Sequence, residues 1–287
     1  QKRVRTAQNK LEACTDGIFA VLYVPAISIH IYLFCIEAYS MEIYFIRHGQ
    51  STNNRLSEAT WHTRSHDPEL TEIGHKQAAR VADYLCSAPN LEDIVRVPDG
   101  APERERHYPH TLTHLYCSPM YRALQTAQPI AKALNMNPTV WIDVHEVGGI
   151  HYDKDGETIV LGGKTRTEIM TEFPNYALPD AITEDGWYKQ EWGREDWAGC
   201  LARAFRVSSA LIMRAENPRS QEDKIAIVSH GGFINAILKA LTNIAPNPRL
   251  DFWHYNTAVT RVDLEVGGTM VIRYMNRVTH LTPELLT

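Results

Sequence analysis

Two rhythms of apolar residues alternate along this chain. Short runs rich in β-branched and aromatic residues, Ile43-Tyr44-Phe45-Ile46, Leu115-Tyr116-Cys117 and Ile225-Ala226-Ile227-Val228, have the length and composition of buried strands. Longer stretches with helical spacing separate them. The predicted order is strand 42–47, helix 72–87, strand 113–117, helix 120–134 and strand 139–142, then an insertion. Helix 195–216, strand 225–229, helix 231–242 and strands 257–265 and 269–275 follow, the last two joined as a hairpin across Gly267-Gly268. Strands alternating with helices define an α/β three-layer sandwich, a mostly parallel sheet with helices on both faces and an edge hairpin. This domain spans residues 41–287, with insertions at about 88–112 and 148–194 in which no strand pattern is visible. Both are rich in Pro, Gly, Asp and aromatic residues, including Trp187, Trp192 and Trp197. Long insertions at strand ends cap or line a site, and the second is expected to set specificity.

Three of the apolar runs end in residues with chemistry. The first delivers Arg47-His48-Gly49, the second Ser118-Pro119 with Arg122, and the third Ser229-His230-Gly231-Gly232. Open α/β sheets bind ligands at the carboxyl ends of their parallel strands. Arginine offers a rigid fork for phosphate oxygens, and histidine a nitrogen nucleophile that is neutral near pH 7. Gly49 admits backbone close to an anion. Ser118 reads as an N-cap with Pro119 at the first helical position, which puts Arg122 in the first turn beside the positive end of the helix dipole. A buried or helix-start arginine is unfavourable unless an anion meets it. Two arginines and two histidines at three strand ends therefore point to a phosphoryl group. Gln77, Ala78, Gln125 and Thr126 read as plain helix-face residues.

These blocks are similar to the signature of the histidine phosphatase superfamily, in its phosphoglycerate-mutase-like branch. The similarity rests on Arg47-His48-Gly49 with Gln50, Ser51 and Asn54, on Leu70-Thr71-Glu72-Ile73-Gly74, on Ser118-Pro119 with Arg122 and Thr126-Ala127, and on Ser229-His230-Gly231-Gly232. It covers about residues 41–280. The tripeptide alone is weakly specific; the four blocks in order are strongly so. The resemblance implies that His48 is phosphorylated on a ring nitrogen and that water then hydrolyses the phosphohistidine. Arg47, Arg122 and His230 would surround the phosphoryl oxygens, with Asn54 and Gly231 adding contacts. A carboxylic acid must protonate the leaving oxygen. Glu146 and Asp143 both follow the run Val140-Trp141-Ile142, and Glu146, nearest Gly148-Gly149, is preferred. Burial is expected to raise the proton affinity of that acid. Phosphoglycerate mutases typically carry Trp-Asn where this chain has Thr52-Asn53-Asn54, so a phosphomonoester hydrolase is favoured over a mutase. A non-catalytic phosphate-binding module is the third reading, and would have no need of the nucleophile.

Other constellations carry less. His107, His110 and His114 lack a fourth ligand with zinc-like spacing, and neither a metal nor a cofactor is expected. Gly162-Gly163-Lys164-Thr165 has no leading strand and no upstream glycine, so it reads as a turn before helix 166–173, with Thr165 or Thr167 as its cap. No Gly-x-Ser-x-Gly elbow surrounds Ser229. His62 and His66 occupy the loop after the first strand, where they either touch substrate or decorate the surface.

A net charge of −5 without a basic stripe argues against nucleic acid and suits a small phosphorylated substrate held in a locally positive pocket. The cysteines show no pairing pattern, and Cys86, Cys117 and Cys200 lie in apolar stretches, which fits buried thiols in a reducing, cytoplasmic compartment. Residues 17–36 are apolar and uncharged and follow Lys2, Arg3, Arg5 and Lys10. That stretch reads as a membrane anchor, an export signal, a non-native or upstream extension or a packed structural segment, and Pro25 and His30 within it keep the choice open. Membrane contact, or a location outside the cytoplasm, is expected only if this stretch is a genuine anchor or signal. A homodimer is also left open.

Overall fold

The computed structural model describes residues 40–87, 111–244 and 249–287. The expectations for residues 17–36, His107 and His110 fall outside these. In chain order the elements are β1 (Ser40–Arg47), α1 (Glu72–Cys86), β2 (His114–Cys117), α2 (Tyr121–Leu134), β3 (Thr139–Val140), β4 (His151–Lys154), β5 (Glu157–Val160), α3 (Arg166–Glu172), α4 (Trp197–Ala215), β6 (Lys224–Ser229), α5 (Gly231–Leu241), β7 (Val259–Glu265) and β8 (Met270–Arg277). Six strands form one sheet in the order β3-β2-β6-β1-β7-β8, and β4 and β5 form a separate hairpin. The first four are mutually parallel; β7 runs antiparallel to β1, and β8 to β7. The fold is the α/β sandwich with an edge hairpin that the apolar pattern predicts.

Period-two alternation divides β1 between two cores. Met41, Ile43 and Phe45 pack with Leu201 and Val207 of α4 and Ile234 and Ile237 of α5. Tyr44 and Ile46 pack on the other side, with Val81 and Leu85 of α1 and Leu124 and Ile130 of α2. Each face of the sheet is therefore closed by one helix pair. Because the chain passes from β1 to β2 and leaves the place between them for β6, the carboxyl ends of all three lie side by side.

Several expectations need correction. β3 stops after two residues, because Ile142–Val144 coils into a 3-10 turn. The second insertion does contain strands: β4 and β5 pair across Asp155-Gly156, both left-handed at φ 51° and 83°. An Asp-Gly pair between alternating residues is a strong short-range hairpin signal, and the aromatic and charged residues around it hid it. Ser118 is not an N-cap and Pro119 is not the first helical residue. α2 starts at Tyr121 with Met120 as its cap, and the Ser118 hydroxyl instead accepts the Met120 N–H at 3.2 Å within the preceding turn. Cys86 is exposed at the end of α1, whereas Cys117 and Cys200 are buried, and none of the three is in a disulfide. Thr165 does cap α3, in a reciprocal pairing with Glu168. Among the described residues no helix is long and apolar enough to cross a membrane.

The loop after β1 touches the start of α1 backbone to backbone. A Cβ added at Gly74 would lie 2.1 Å from the Gln50 carbonyl oxygen, and one at Gly49 would lie 2.5 Å from the Gly74 oxygen. Gly49 thus serves contact with a helix, rather than the approach to an anion read from the sequence. Gly74→Ala is expected to destabilise the protein by about 2 kcal/mol or more, since neither backbone can yield without moving its element. A denaturant melt showing no loss of stability would contradict this close approach.

Candidate active site

Three segments fix the turn that follows β1. The Gly49 N–H donates to Thr126 Oγ1 of α2 at 3.0 Å, and the Gln50 N–H to Gln77 Oε1 of α1 at 2.7 Å. Asn256 Nδ2 donates to the His48 carbonyl at 2.9 Å, and the Thr257 N–H to the Arg47 carbonyl at 3.0 Å. Thr126 and Gln77, read from the sequence as plain helix residues, are therefore what hold the turn, as are Asn256 and Thr257. Nothing in their local pattern announces this, because their partners lie far away along the chain.

Within that turn the His48 ring is buried, and its tautomer follows from its neighbours. Nδ1 lies 2.6 Å from the Gly49 carbonyl, which can only accept, so Nδ1 carries the proton. Nε2 then keeps a lone pair, which accepts a hydrogen bond from Arg122 Nε at 3.1 Å. Burial, together with the charges of Arg122 and Arg47, pushes the imidazole well below the usual histidine range, so it is neutral. The His230 ring lies 5.1 Å from that of His48, centre to centre. His230 Nε2 is 2.7 Å from Ser118 Oγ. That oxygen also accepts the Met120 N–H and keeps a second lone pair and its own proton, so the contact serves either tautomer of His230. His230 Nδ1 is buried without a hydrogen-bond partner among the described residues, and so is Arg47 Nε. Two buried nitrogens without hydrogen-bond partners, one of them a guanidinium N–H, thus accompany the His48 lone pair.

Arg47 anchors one end of its fork on the His254 carbonyl. Its Nε lies close to Gly231, where an added Cβ would be 3.4 Å away, an ordinary contact. Gly232 is the more constrained of the two, because a Cβ there would sit 2.5 Å from Glu146 Oε1. That space lets Glu146 reach the start of α5, where its carboxylate accepts N–H bonds from Val147, Gly232 and Phe233 at 2.9, 3.1 and 2.9 Å. Glu146 is therefore a carboxylate wedged on a helix N-terminus, instead of the isolated buried acid expected from the sequence. Asp143 is half exposed beside Arg206, and only its backbone carbonyl is used. The segment 143–145 is clamped by Arg203 of α4, whose Nη1 donates to the carbonyls of Asp143 and His145 at 2.7 and 2.8 Å while Glu195 takes the rest of the fork. Asn54 Oδ1 accepts the Ser51 N–H and hydroxyl at 3.0 and 2.9 Å, which assigns the Asn54 NH₂ as the group left to donate.

Arg122 also has a neighbour that the sequence did not single out. Asp67 Oδ1 accepts the Tyr121 N–H at 3.0 Å at the start of α2 and lies 3.9 Å from Arg122 Nη1. Burial pushes the Asp67 carboxyl up to about 6 in spite of that arginine. Arg47, His48, Arg122, Asn54 and Glu146 all line one pocket of about 500 Å³. His62, His66, Arg64 and Arg194 stand round it too, so the loop after β1 and the second insertion both reach the pocket. Among the described residues no cluster of side chains is suited to a metal ion.

The sequence profile of the histidine phosphatase superfamily (branch 1) matches residues 43–95 and 103–277. The chain belongs to that superfamily. Among curated protein sequences none matches significantly. A solved mycobacterial structure described as hydrolase 2 superposes with a TM-score of 0.53 at 17% identity, covering 86% of this chain and 94% of its own. A phosphoserine phosphatase mutant from Entamoeba histolytica in complex with phosphoserine gives 0.50 at 21% identity, over 84% of this chain and all of its own. Both have the fold described above.

Asp67 yields a test of these electrostatics. Its folded value of about 6 lies above the ordinary 3.8, so the folded state holds the proton more tightly than the unfolded chain. Its contribution to stability is then fully present in acid and falls as pH rises from about 4 to about 6. Asp67→Asn removes that titration. The melting temperature of the variant relative to wild type is expected to rise across this window; a difference independent of pH would contradict the assignment.

Proposed function

We propose that this chain is a phosphomonoester hydrolase that works through a covalent phosphohistidine at His48 Nε2. The observation that carries the reading is the lone pair of a His48 ring kept neutral by burial, with its proton fixed on Nδ1, beside two arginines and two buried nitrogens without partners. In the first step Nε2 forms a bond to phosphorus as the ester P–O bond breaks. Arg122 Nε passes from the lone pair to a phosphoryl oxygen, while Arg47 Nε and His230 Nδ1 take up others. Each of these donors is worth most where negative charge gathers in the transition state. Asn54 adds its NH₂.

The leaving oxygen needs a proton, and Glu146 is the carboxyl group at the floor of the pocket that can supply it. To do so it must arrive protonated and release one of its backbone N–H partners. In the second step water attacks phosphorus, the Nε2–P bond breaks, Glu146 recovers the proton from the water, and inorganic phosphate leaves. The substrate is small, in keeping with the pocket volume of about 500 Å³, and the chemistry requires no cofactor.

His48→Ala is expected to abolish turnover of an aryl phosphate and to prevent formation of an acid-labile, base-stable phosphoprotein in rapid-quench labelling. Arg122→Ala is expected to slow turnover on the order of 10²–10³-fold. Glu146→Gln should harm alkyl phosphates far more than aryl ones, since a good leaving group needs little protonation. Labelling that persists in His48→Ala would remove the nucleophile assignment. With 3-phosphoglycerate, isomerisation outrunning phosphate release would make the enzyme a mutase. A wild type that binds phosphate and turns over nothing would make it a binding module.

A further inference from the structure

The proton on His48 Nδ1 depends on one peptide plane. The Gly49 carbonyl that accepts it belongs to the same planar unit as the Gln50 N–H, and the two point in opposite directions. Whatever grips that N–H therefore aims that carbonyl. The grip is Gln77 Oε1 of α1, at 2.7 Å. Gln77 is itself held from behind. Pro283–Leu285 form a 3-10 turn, and residues in and after it meet the Gln77 amide. Gln77 Nε2 donates to the Leu285 carbonyl at 2.7 Å and to Thr287 Oγ1 at 2.8 Å. An N–H facing Oε1 and a carbonyl facing Nε2 leave this amide one orientation. With Oγ1 accepting there, the Thr287 hydroxyl donates its own proton to Asn256 Oδ1 at 3.2 Å. Asn256 Nδ2 in turn donates to the His48 carbonyl at 2.9 Å. The path thus leaves the main chain at Gln50, passes through three side chains and returns at His48. Every donor along it meets an acceptor, and each bond polarises the next. The Asn256 N–H also donates to the Thr287 main-chain oxygen at 3.0 Å, which keeps those two residues together. Gln77 is fully buried and Asn256 nearly so, so neither amide has water to turn to.

We propose that Thr287 is a positioning residue for the nucleophile: its hydroxyl closes a hydrogen-bond circuit through Gln77 and Asn256 that keeps the 49–50 peptide turned toward His48 Nδ1. This deepens the phosphatase reading and rests on it. Opening the circuit lets the Gln77 amide rotate and the peptide tilt. The ring proton can then move to Nε2, which leaves no lone pair there for phosphorus and sets that proton against the Arg122 N–H. Thr287 lies outside the lining of the pocket, so the donors that bind phosphate stay in place.

Thr287→Val keeps the shape of the side chain and removes the hydroxyl, whereas Thr287→Ser keeps the hydroxyl. With an aryl phosphate, Thr287→Val is expected to lower kcat roughly three- to tenfold with KM little changed, and Thr287→Ser to recover most of the loss. Rates are referred to the folded fraction read from a melt of each variant, which separates lost protein from lost rate. Gln77→Met opens the circuit at another point. The loss in the double variant Gln77→Met, Thr287→Val is expected to be smaller than the product of the two single losses. Nitrogen NMR of the His48 ring reads the tautomer without turnover. Its Nδ1 and Nε2 resonances, far apart in wild type, are expected to draw together in Thr287→Val and to separate again in Thr287→Ser. An unchanged kcat in Thr287→Val, losses that multiply, or ring resonances that do not move would overturn the proposal and leave the phosphatase reading standing. A wild type that hydrolyses nothing while its ring resonances respond in this way would remove the phosphatase reading and leave the circuit.

Discussion

The site is governed by the burial of positive charge. Arg47 and Arg122 lose most of their water beside two imidazoles, and burial lowers the proton affinity of all four groups. A buried guanidinium without a counter-charge is expensive, and few carboxylates stand nearby to relieve it. Asp67 lies 3.9 Å from Arg122 yet is itself so buried that its carboxyl is pushed up to about 6. Glu146 spends its oxygens on three backbone N–H groups. The arrangement is relieved most fully when a tetrahedral dianion enters. The histidines follow the same logic, since a protonated imidazole here would add to the repulsion and neutrality is what leaves His48 Nε2 its lone pair.

Such a site works only if its members cannot drift apart, and the surrounding hydrogen bonds serve that end. The turn after β1 is held by side chains of α1 and α2 and by residues 256 and 257, with the Gly49–Gly74 approach as a steric stop. Arg203 does for the segment before Glu146 what Thr126 and Gln77 do for the segment after Arg47. Ser118 does it for His230. Each segment that forms the site thus has a partner outside the pocket lining that fixes its angle, which is how close geometry is kept on loops.

That division explains what could be read from the residues alone. Arg47, His48, Arg122 and His230 stand at the ends of apolar runs, and a strand followed by a polar residue and glycine is a local pattern. The alternation of strands and helices is local too, and it delivers the sandwich and the edge hairpin. Gln77 and Thr126 were invisible because their meaning lies in contacts with residues 27 and 77 positions away. Asp67 and Arg203 were hidden for the same reason: a buried ion near a distant partner looks, in sequence, like any surface charge. Ser118 was misread because a helix cap and a turn that aims a hydroxyl at a histidine use the same residue types. The β4–β5 hairpin, by contrast, was legible in Asp155-Gly156 and was passed over.

Floor and mouth of the pocket obey different physics. At the floor, donors are buried and fixed, and their strength comes from low dielectric and from having nowhere else to turn. At the mouth, Arg194 is solvated and borne on an insertion that packs through Trp187 and Tyr188 into the same core as Ile46, Cys117 and Val228 of the parallel strands. A sheet that places buried charge at its strand ends can therefore leave the rim of the pocket to the segments that rise above it, and here those segments bring His151 and Arg194.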